Sequence, residues 1–246
     1  MKIAIISDIH GNIIALEHVL KDIKENGIEQ IYCLGDLVDY APWDNEVITC
    51  IRDKNIPCIM GNHDERIAFD QAVTSFDYLT QDENNWRAQA VAYAKRTITA
   101  DNKRWLGELP FQIELTYKLS GGYRRILLVH ATPDSNKVYI YEKDSKSDLI
   151  AYLDRRAADV IVMGHTHLPY VQQVSGKLIV NSGAVGRSRE EERTASYVIL
   201  EICATGVLAE IRRLNYPIEK VVEGIYNSEI PDYYADFLLG KYSGVR

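Results

Sequence analysis

Five of the six histidines sit in short polar motifs at the ends of apolar runs, and this regularity constrains the fold more than any other feature of the chain. The motifs read Asp8-Ile9-His10, Gly35-Asp36-Leu37-Val38-Asp39, Gly61-Asn62-His63-Asp64, a lone His130 and Gly164-His165-Thr166-His167. The runs before the first three, Lys2 to Ser7, Gln30 to Leu34 and Pro57 to Met60, are short and apolar, as buried strands are. Two helical patterns lie between them. Ile13, Leu16, Leu20 and Ile23 recur at helical spacing before Gly27, and Asn45 to Asp53 makes the second. A β-α-β-α-β series implies a largely parallel sheet. Sites in open α/β sheets form at the carboxyl ends of strands, so all three motifs are expected at one edge.

Residues 65–110 carry no strand pattern and read as a helical insertion beside that edge. Asp82 to Thr99 is amphipathic, with Trp86, Ala90, Tyr93 and Thr97 on one face, and Asp101 to Leu109 is a second helix stopped by Pro110. The texture then becomes strand-rich. Phe111–Tyr117 and Arg125–His130 suggest a hairpin around Gly121-Gly122, Ser147 to Arg156 a helix, and Val160–Met163 a strand ending at Gly164. Tyr170–Val174 with Leu178–Val180, and Tyr197–Cys203 with Leu208–Leu214, follow as pairs. The tail, 219–246, is expected to be helical in parts and to carry no chemistry. Without repeats or linkers, residues 1–246 read as one α/β domain, a size ample for a buried core.

A net charge of −7 argues against a nucleic-acid surface, which needs clustered Lys and Arg. It does not argue against a small phosphate substrate, because bound metal can outweigh the global field. The start of the chain is not a signal peptide and no run is long enough to span a membrane. Cys33, Cys50, Cys58 and Cys203 show no CxxC spacing and read as reduced thiols, so a cytoplasmic protein is expected. Oligomeric state is not legible.

Histidine, carboxylate and amide oxygen are ligands for hard-to-borderline metals. In extended chain, residues i and i+2 face one side, so Asp8 with His10, and His165 with His167, are each expected to reach one ion. Asp36 has two oxygens and can bridge two cations, Asn62 offers a neutral carbonyl, and His130 ends its strand. Each residue alone has a mundane reading: a turn former, a cap, a core histidine. That reading does not explain why so many ligand types lie at strand ends.

As an ordered set, Asp-x-His, Gly-Asp-x-x-Asp, Gly-Asn-His-Asp, His and Gly-His-x-His resemble the calcineurin-like metallophosphoesterase superfamily over residues 8 to 167. Asn181-Ser182-Gly183-Ala184-Val185-Gly186 and Ala195-Ser196-Tyr197 are similar to a stretch of its small bacterial members, among them diadenosine tetraphosphatase-like and protein-phosphatase-like groups. Ser182 stands where those have Pro. The resemblance implies a two-sheet β-sandwich flanked by helices, layered α/β/β/α. It implies that Asp8, His10, Asp36 and His167 bind one metal and that Asp36, Asn62, His130 and His165 bind a second, with Asp36 bridging. His63 would stand at the leaving group as proton donor and phosphate contact, oriented by Asp39, and Asn62 would also touch the phosphoryl group. A hydroxide shared by the ions would attack phosphorus in line. The donor set suits Mn first, and also Fe, Zn, Co or Ni.

The function expected is therefore a dinuclear metal-dependent phosphoesterase, first a phosphodiesterase acting on a small phosphate ester. The alternatives are a phosphomonoesterase on a nucleotide or phosphoprotein, a dinucleoside polyphosphate hydrolase, and, remotely, an interaction scaffold whose site has decayed. Several residues are set aside. His18 lies off the apolar face of its helix. Arg66 reads as a solvated helix start, and Arg187 and Arg189 as part of a solvated, self-paired loop. Tyr139 and Tyr141 alternate along an expected strand, where packing is the simpler account. The family's small members often carry an Arg after the histidine that His130 matches, and His130-Ala131-Thr132-Pro133-Asp134 has none, which leaves the substrate open.

Overall fold

A computed structural model describes residues 1–242. Its elements are β1 (Lys2–Ile6), α1 (Ile13–Glu25), β2 (Ile31–Cys33), α2 (Asp44–Asp53), α3 (Asn62–Ala68), α4 (Gln81–Thr97), α5 (Ala100–Gly107), β3 (Gln112–Leu119) and β4 (Gly122–Val129). Then follow α6 (Ser147–Arg156), β5 (Val160–Met163), β6 (Tyr170–Val174), β7 (Lys177–Asn181), β8 (Ala195–Cys203), β9 (Gly206–Leu214), α7 (Ile218–Tyr226) and α8 (Tyr233–Leu238).

The strands form two sheets, ordered β2-β1-β8-β9 and β3-β4-β5-β7-β6. Among the described strands, parallel pairs are β1·β2, β4·β5 and β5·β7, each reached by a crossover, and the hairpins pair antiparallel. Side-chain alternation explains the layering. Ile3 and Ile5 of β1, Ile126 and Leu128 of β4, and Val198 and Leu200 of β8 meet between the sheets. Their neighbours face outward. Ala4, Ile6, Tyr197 and Ile199 pack under α1, α2, α7 and α8, and Leu127, Val129 and Ile161 pack under α6. The result is the four-layer α/β/β/α arrangement.

Three expectations are corrected. Pro57–Met60 is not a strand: it makes one parallel bridge, Cys33 to Cys58, because the chain turns at once into α3. Tyr139 and Tyr141 lie in an irregular segment, tied back where Tyr141 N donates to Asp144 Oδ2 at 2.8 Å. Thr97 is exposed, and the buried face of α4 is Ala90, Val91 and Ala94, which join the same core as α1 and α2. All four cysteines are free thiols, and among the described residues no helix is long and apolar enough to cross a membrane.

Candidate metal centre

The motif loops are joined by backbone before any side chain acts. Asp8 N donates to Gly35 O at 3.0 Å, Ile9 N and His10 N to Asp36 O at 2.8 and 3.0 Å, and Gly11 N to Leu37 O at 2.8 Å. The chain has already left the strands, since β1 ends at Ile6 and β5 at Met163. Asp8, His10, Asp36, Asp39, Tyr40, His165 and His167 all have φ between 51° and 79°. They are seven of the twelve described non-glycine residues in the left-handed region, which costs such residues about 1–3 kcal/mol each. Asp8 and His10 therefore converge by curling, not by the extended alternation expected from sequence, and His165 and His167, expected to reach one ion, part to different ligand groups.

This curl gathers two buried groups, Asp8–His10–His167 and Asp36–His130–His165, each with its ligand atoms within 4.8 Å of one another. In the first, His167 Nε2 lies 3.2 Å from Asp8 Oδ1 and 3.1 Å from His10 Nε2. In the second, His130 Nε2 lies 3.4 Å from Asp36 Oδ2 and 3.1 Å from Asn62 Oδ1. Asp36 Oδ2 is also 3.8 Å from His10 Nε2, so one carboxylate oxygen stands between the groups.

The protonation pattern favours a cation. Nδ1 of His10, His130 and His167 faces the backbone oxygens of Val38, Leu34 and Arg187 at 3.0, 2.8 and 2.6 Å. Each Nδ1 is then the donor, and the Nε2 lone pairs face inward, as metal ligands require. Two such lone pairs 3.1 Å apart, on His10 and His167, repel unless a cation or proton lies between them. Asp8 Oδ1 and His165 Nε2 are buried with no hydrogen-bond partner. These residues fit two metal ions. Without metal, burial opposes charge on His130, but the Asp36 carboxylate outweighs it and pushes the pKa up to about 10. Burial, aided by His130, pushes His165 down to about 3.

His63 is separate from both groups. It is 12 % exposed, against 5 % or less for His10, His130, His165 and His167. Its Nδ1 bonds Asp39 Oδ2 at 2.8 Å, and its Nε2 lies 3.3 Å from the Tyr40 hydroxyl, with the His10 ring edge-on at 5.0 Å between centroids. The carboxylate of Asp39 is held low, since burial is overcome by the His63 hydrogen bond. Asp39 N in turn donates to Asp44 Oδ1 at 2.9 Å, which secures this left-handed turn.

Sequence reasoning missed Asp64. Its Oδ2 accepts from Asp36 N at 2.7 Å and Gly61 N at 2.9 Å, and its Oδ1 from Leu37 N at 2.9 Å. One carboxylate thus fixes both the Asp36 loop and the Asn62 turn. Burial and the Asp36 charge push its pKa up to about 7, and the backbone donors work against that. The available signal was its place at N3 of a short helix, where a carboxylate reaches back to free N–H groups. Gly61 lets the loops close this tightly: a Cβ there would collide with Asp36 Oδ1 and Asp36 N.

Other residues that sequence reading set aside lie at the site. Arg66 Nη1 lies 3.2 Å from His63 Nδ1 and is half-buried, not a solvated helix start. Tyr139 stacks on His165 with ring centroids 4.1 Å apart. The 187–193 loop is not paired only with itself in solvent, because Arg193 is buried and donates to Phe237 O, Glu190 pairs with Arg213, and Arg187 packs on aromatic rings. The tail is not inert: α8 sets Tyr234 against Tyr40 at 4.7 Å and Phe237 against Arg187. His18 is exposed, as expected. Ser182 N donates to Met163 O at 2.8 Å, a bond that the family's proline lacks.

The sequence profile of the calcineurin-like phosphoesterase superfamily domain matches residues 1–205, and the chain belongs to that family of metal-dependent phosphoesterases. It is 34 % identical to the protein MJ0912 of Methanocaldococcus jannaschii, over 97 % of this chain and 98 % of that one. A metallophosphoesterase from Sphaerobacter thermophilus superposes with a TM-score of 0.74 at 28 % identity, covering 100 % of this chain and 99 % of that one. The protein PH1004 from Pyrococcus horikoshii shares the fold, with a TM-score of 0.80 at 20 % identity over 100 % and 99 % of the two chains.

Proposed function

We propose that this protein is a dinuclear metal-dependent phosphodiesterase acting on a small phosphate ester. The observation that carries the reading is His63: its Nδ1 is held by Asp39, and its ring stands 5.0 Å from that of His10, a member of one of two buried ligand groups, without belonging to either. Asp8, His10, Asp36 and His167 would hold one ion, and Asp36, Asn62, His130 and His165 the other. When bound, the pair supplies Lewis-acid charge and lowers the pKa of a shared water.

The remaining work falls to side chains. Asn62 orients its amide toward the phosphoryl oxygens while its Oδ1 stays with the ligand set. His63 delivers a proton from Nε2 to the departing alkoxide, and Asp39 stabilises the imidazolium that exists before transfer. The Tyr40 hydroxyl, 3.3 Å away, is placed to accept from that Nε2 when no substrate is present. A decayed scaffold would have no reason to retain a buried carboxylate against a histidine that binds no metal. Mn is the ion proposed, with Fe, Zn, Co and Ni compatible with the donors.

The monoesterase reading keeps one supporting observation, Arg66 beside His63, because a second cation suits a phosphate dianion. Rates with Mn on bis(4-nitrophenyl) phosphate and on 4-nitrophenyl phosphate decide between them. A higher kcat/KM for the diester is expected; a higher value for the monoester overturns the diesterase assignment, and no turnover of either overturns the enzyme.

A further inference from the structure

Three of the four ligand histidines are aimed by the backbone: Nδ1 of His10, His130 and His167 each meets a carbonyl oxygen. His165 is different. Among the described residues its ring makes no hydrogen bond, and its Nε2 is buried without a partner. Rings hold it instead. Tyr139 lies over it with centroids 4.1 Å apart and planes at 27°, and His130 meets it edge-on at 5.1 Å. A histidine must be fixed in orientation before it can present one lone pair to an ion, and here the stack takes the place of the missing carbonyl.

Tyr139 is 37 % exposed and belongs to none of the three apolar cores, yet its segment is firmly anchored. The next residue, Ile140, accepts at its carbonyl from the buried Tyr170 hydroxyl at 2.9 Å. Buried Lys146 donates from Nζ to the carbonyls of Tyr141, Glu142 and Asp144 at 2.7, 3.1 and 2.6 Å, which uses all three of its protons. Burying an ammonium is costly unless its donors are met, and an irregular segment meets them here. Tyr141 lies parallel to Tyr139 at 5.9 Å, and the Arg189 guanidinium carbon is 5.7 Å from the Tyr139 ring centroid. A tyrosine merely resting on the surface would need no such support.

We propose that Tyr139 is a positioning residue for the ion that Asp36, Asn62, His130 and His165 would hold: its ring fixes the plane of His165 and raises the affinity for that ion alone. Two effects act in the same direction. Stacking removes rotamer freedom before binding, so less is lost when the ion arrives. An imidazole that shares its lone pair with a divalent ion becomes electron-poor, and the face of a phenol ring attracts it more than it attracts the free imidazole. The proposal rests on the two-ion reading above, and Tyr139 acts through His165.

The test titrates metal-free protein with Mn in competition with a chromophoric chelator, and with Co while the visible ligand-field bands are recorded. Wild type is expected to take up two ions and H165A to lose one, which marks the step to follow. In Y139A that step is expected to weaken about three- to tenfold, the scale of one aromatic pair, with the other ion unchanged. Y139L, which covers the histidine without a ring face, is expected to weaken like Y139A, and Y139F to bind like wild type. The Co bands of the weakened ion are expected to shift in Y139A and Y139L but not in Y139F. Wild-type affinity in Y139A or Y139L, a loss in Y139F equal to that in Y139A, or equal weakening of both ions overturns the positioning role. A wild type that takes up fewer than two ions overturns the two-ion reading, and the role with it.

Discussion

Replacing Asp64 with alanine removes a side chain that offers no ligand atom to either candidate metal group, yet it should weaken the second one. Three backbone N–H groups, those of Asp36, Leu37 and Gly61, lose their acceptor at once. All three residues are buried, so water cannot take the carboxylate's place without opening the loop. A buried donor left unpaired costs about 1–3 kcal/mol, and neighbours sharing one partner do not add fully, so a loss of about 3–5 kcal/mol is expected. That is a large part of the 5–15 kcal/mol roughly typical of a folded domain. D64N keeps one oxygen but turns an NH2 toward a donor, and should fall between the two. Urea unfolding of metal-free protein gives the stability term. Metal titration of the folded variant gives the functional one, where a loss of roughly 10–100-fold is expected at one ion. The ion lost should be the one nearer Asp36 and Asn62, because those loops are what Asp64 fixes. A D64A protein within about 1 kcal/mol of wild type, binding both ions normally, would refute the claim that these three bonds set the loop geometry.

Asp36→Asn should weaken both ions together, since Asp36 Oδ2 lies between the two groups; metal analysis after loading that finds only one ion lost contradicts the bridging role. His63→Ala should slow diesters with poor alkoxide leaving groups by about 100-fold or more and nitrophenyl esters far less; equal losses on both remove the proton-donor assignment. Gly61→Ala tests close approach without backbone strain, because Gly61 has φ −84°. Its Cβ meets Asp36 backbone, so about 1–3 kcal/mol of stability and the affinity for one ion should both fall, read by urea unfolding and metal titration. Unchanged values would show that the two loops can part freely.

Much of the fold was legible because strand alternation is local. The apolar periods of β1, β4 and β8 already separate the residues that face the second sheet from those that face helices. Pro57–Met60 was misread because an apolar run says nothing of whether a partner strand is in register, and here only Cys33 is. The seven left-handed residues at the centre were also out of reach: φ is chosen by the loop closure around them, and the enrichment of Asp and His in that region is too weak to mark single positions.

The sequence by itself determined the chemistry available: which donors exist, in what order, and that His63 follows the amide Asn62. Ligand capacity is a property of the side chain and survives any fold. Tertiary structure decided how those donors are used. It set the inward Nε2 atoms, through carbonyls 20 to 96 residues away, and the burial that leaves Asp8 Oδ1 without a partner. It also brought the tail helix against Tyr40 and set the guanidinium of Arg187 over the Phe237 ring. Orientation and burial depend on neighbours distant in the chain, so only packing supplies them.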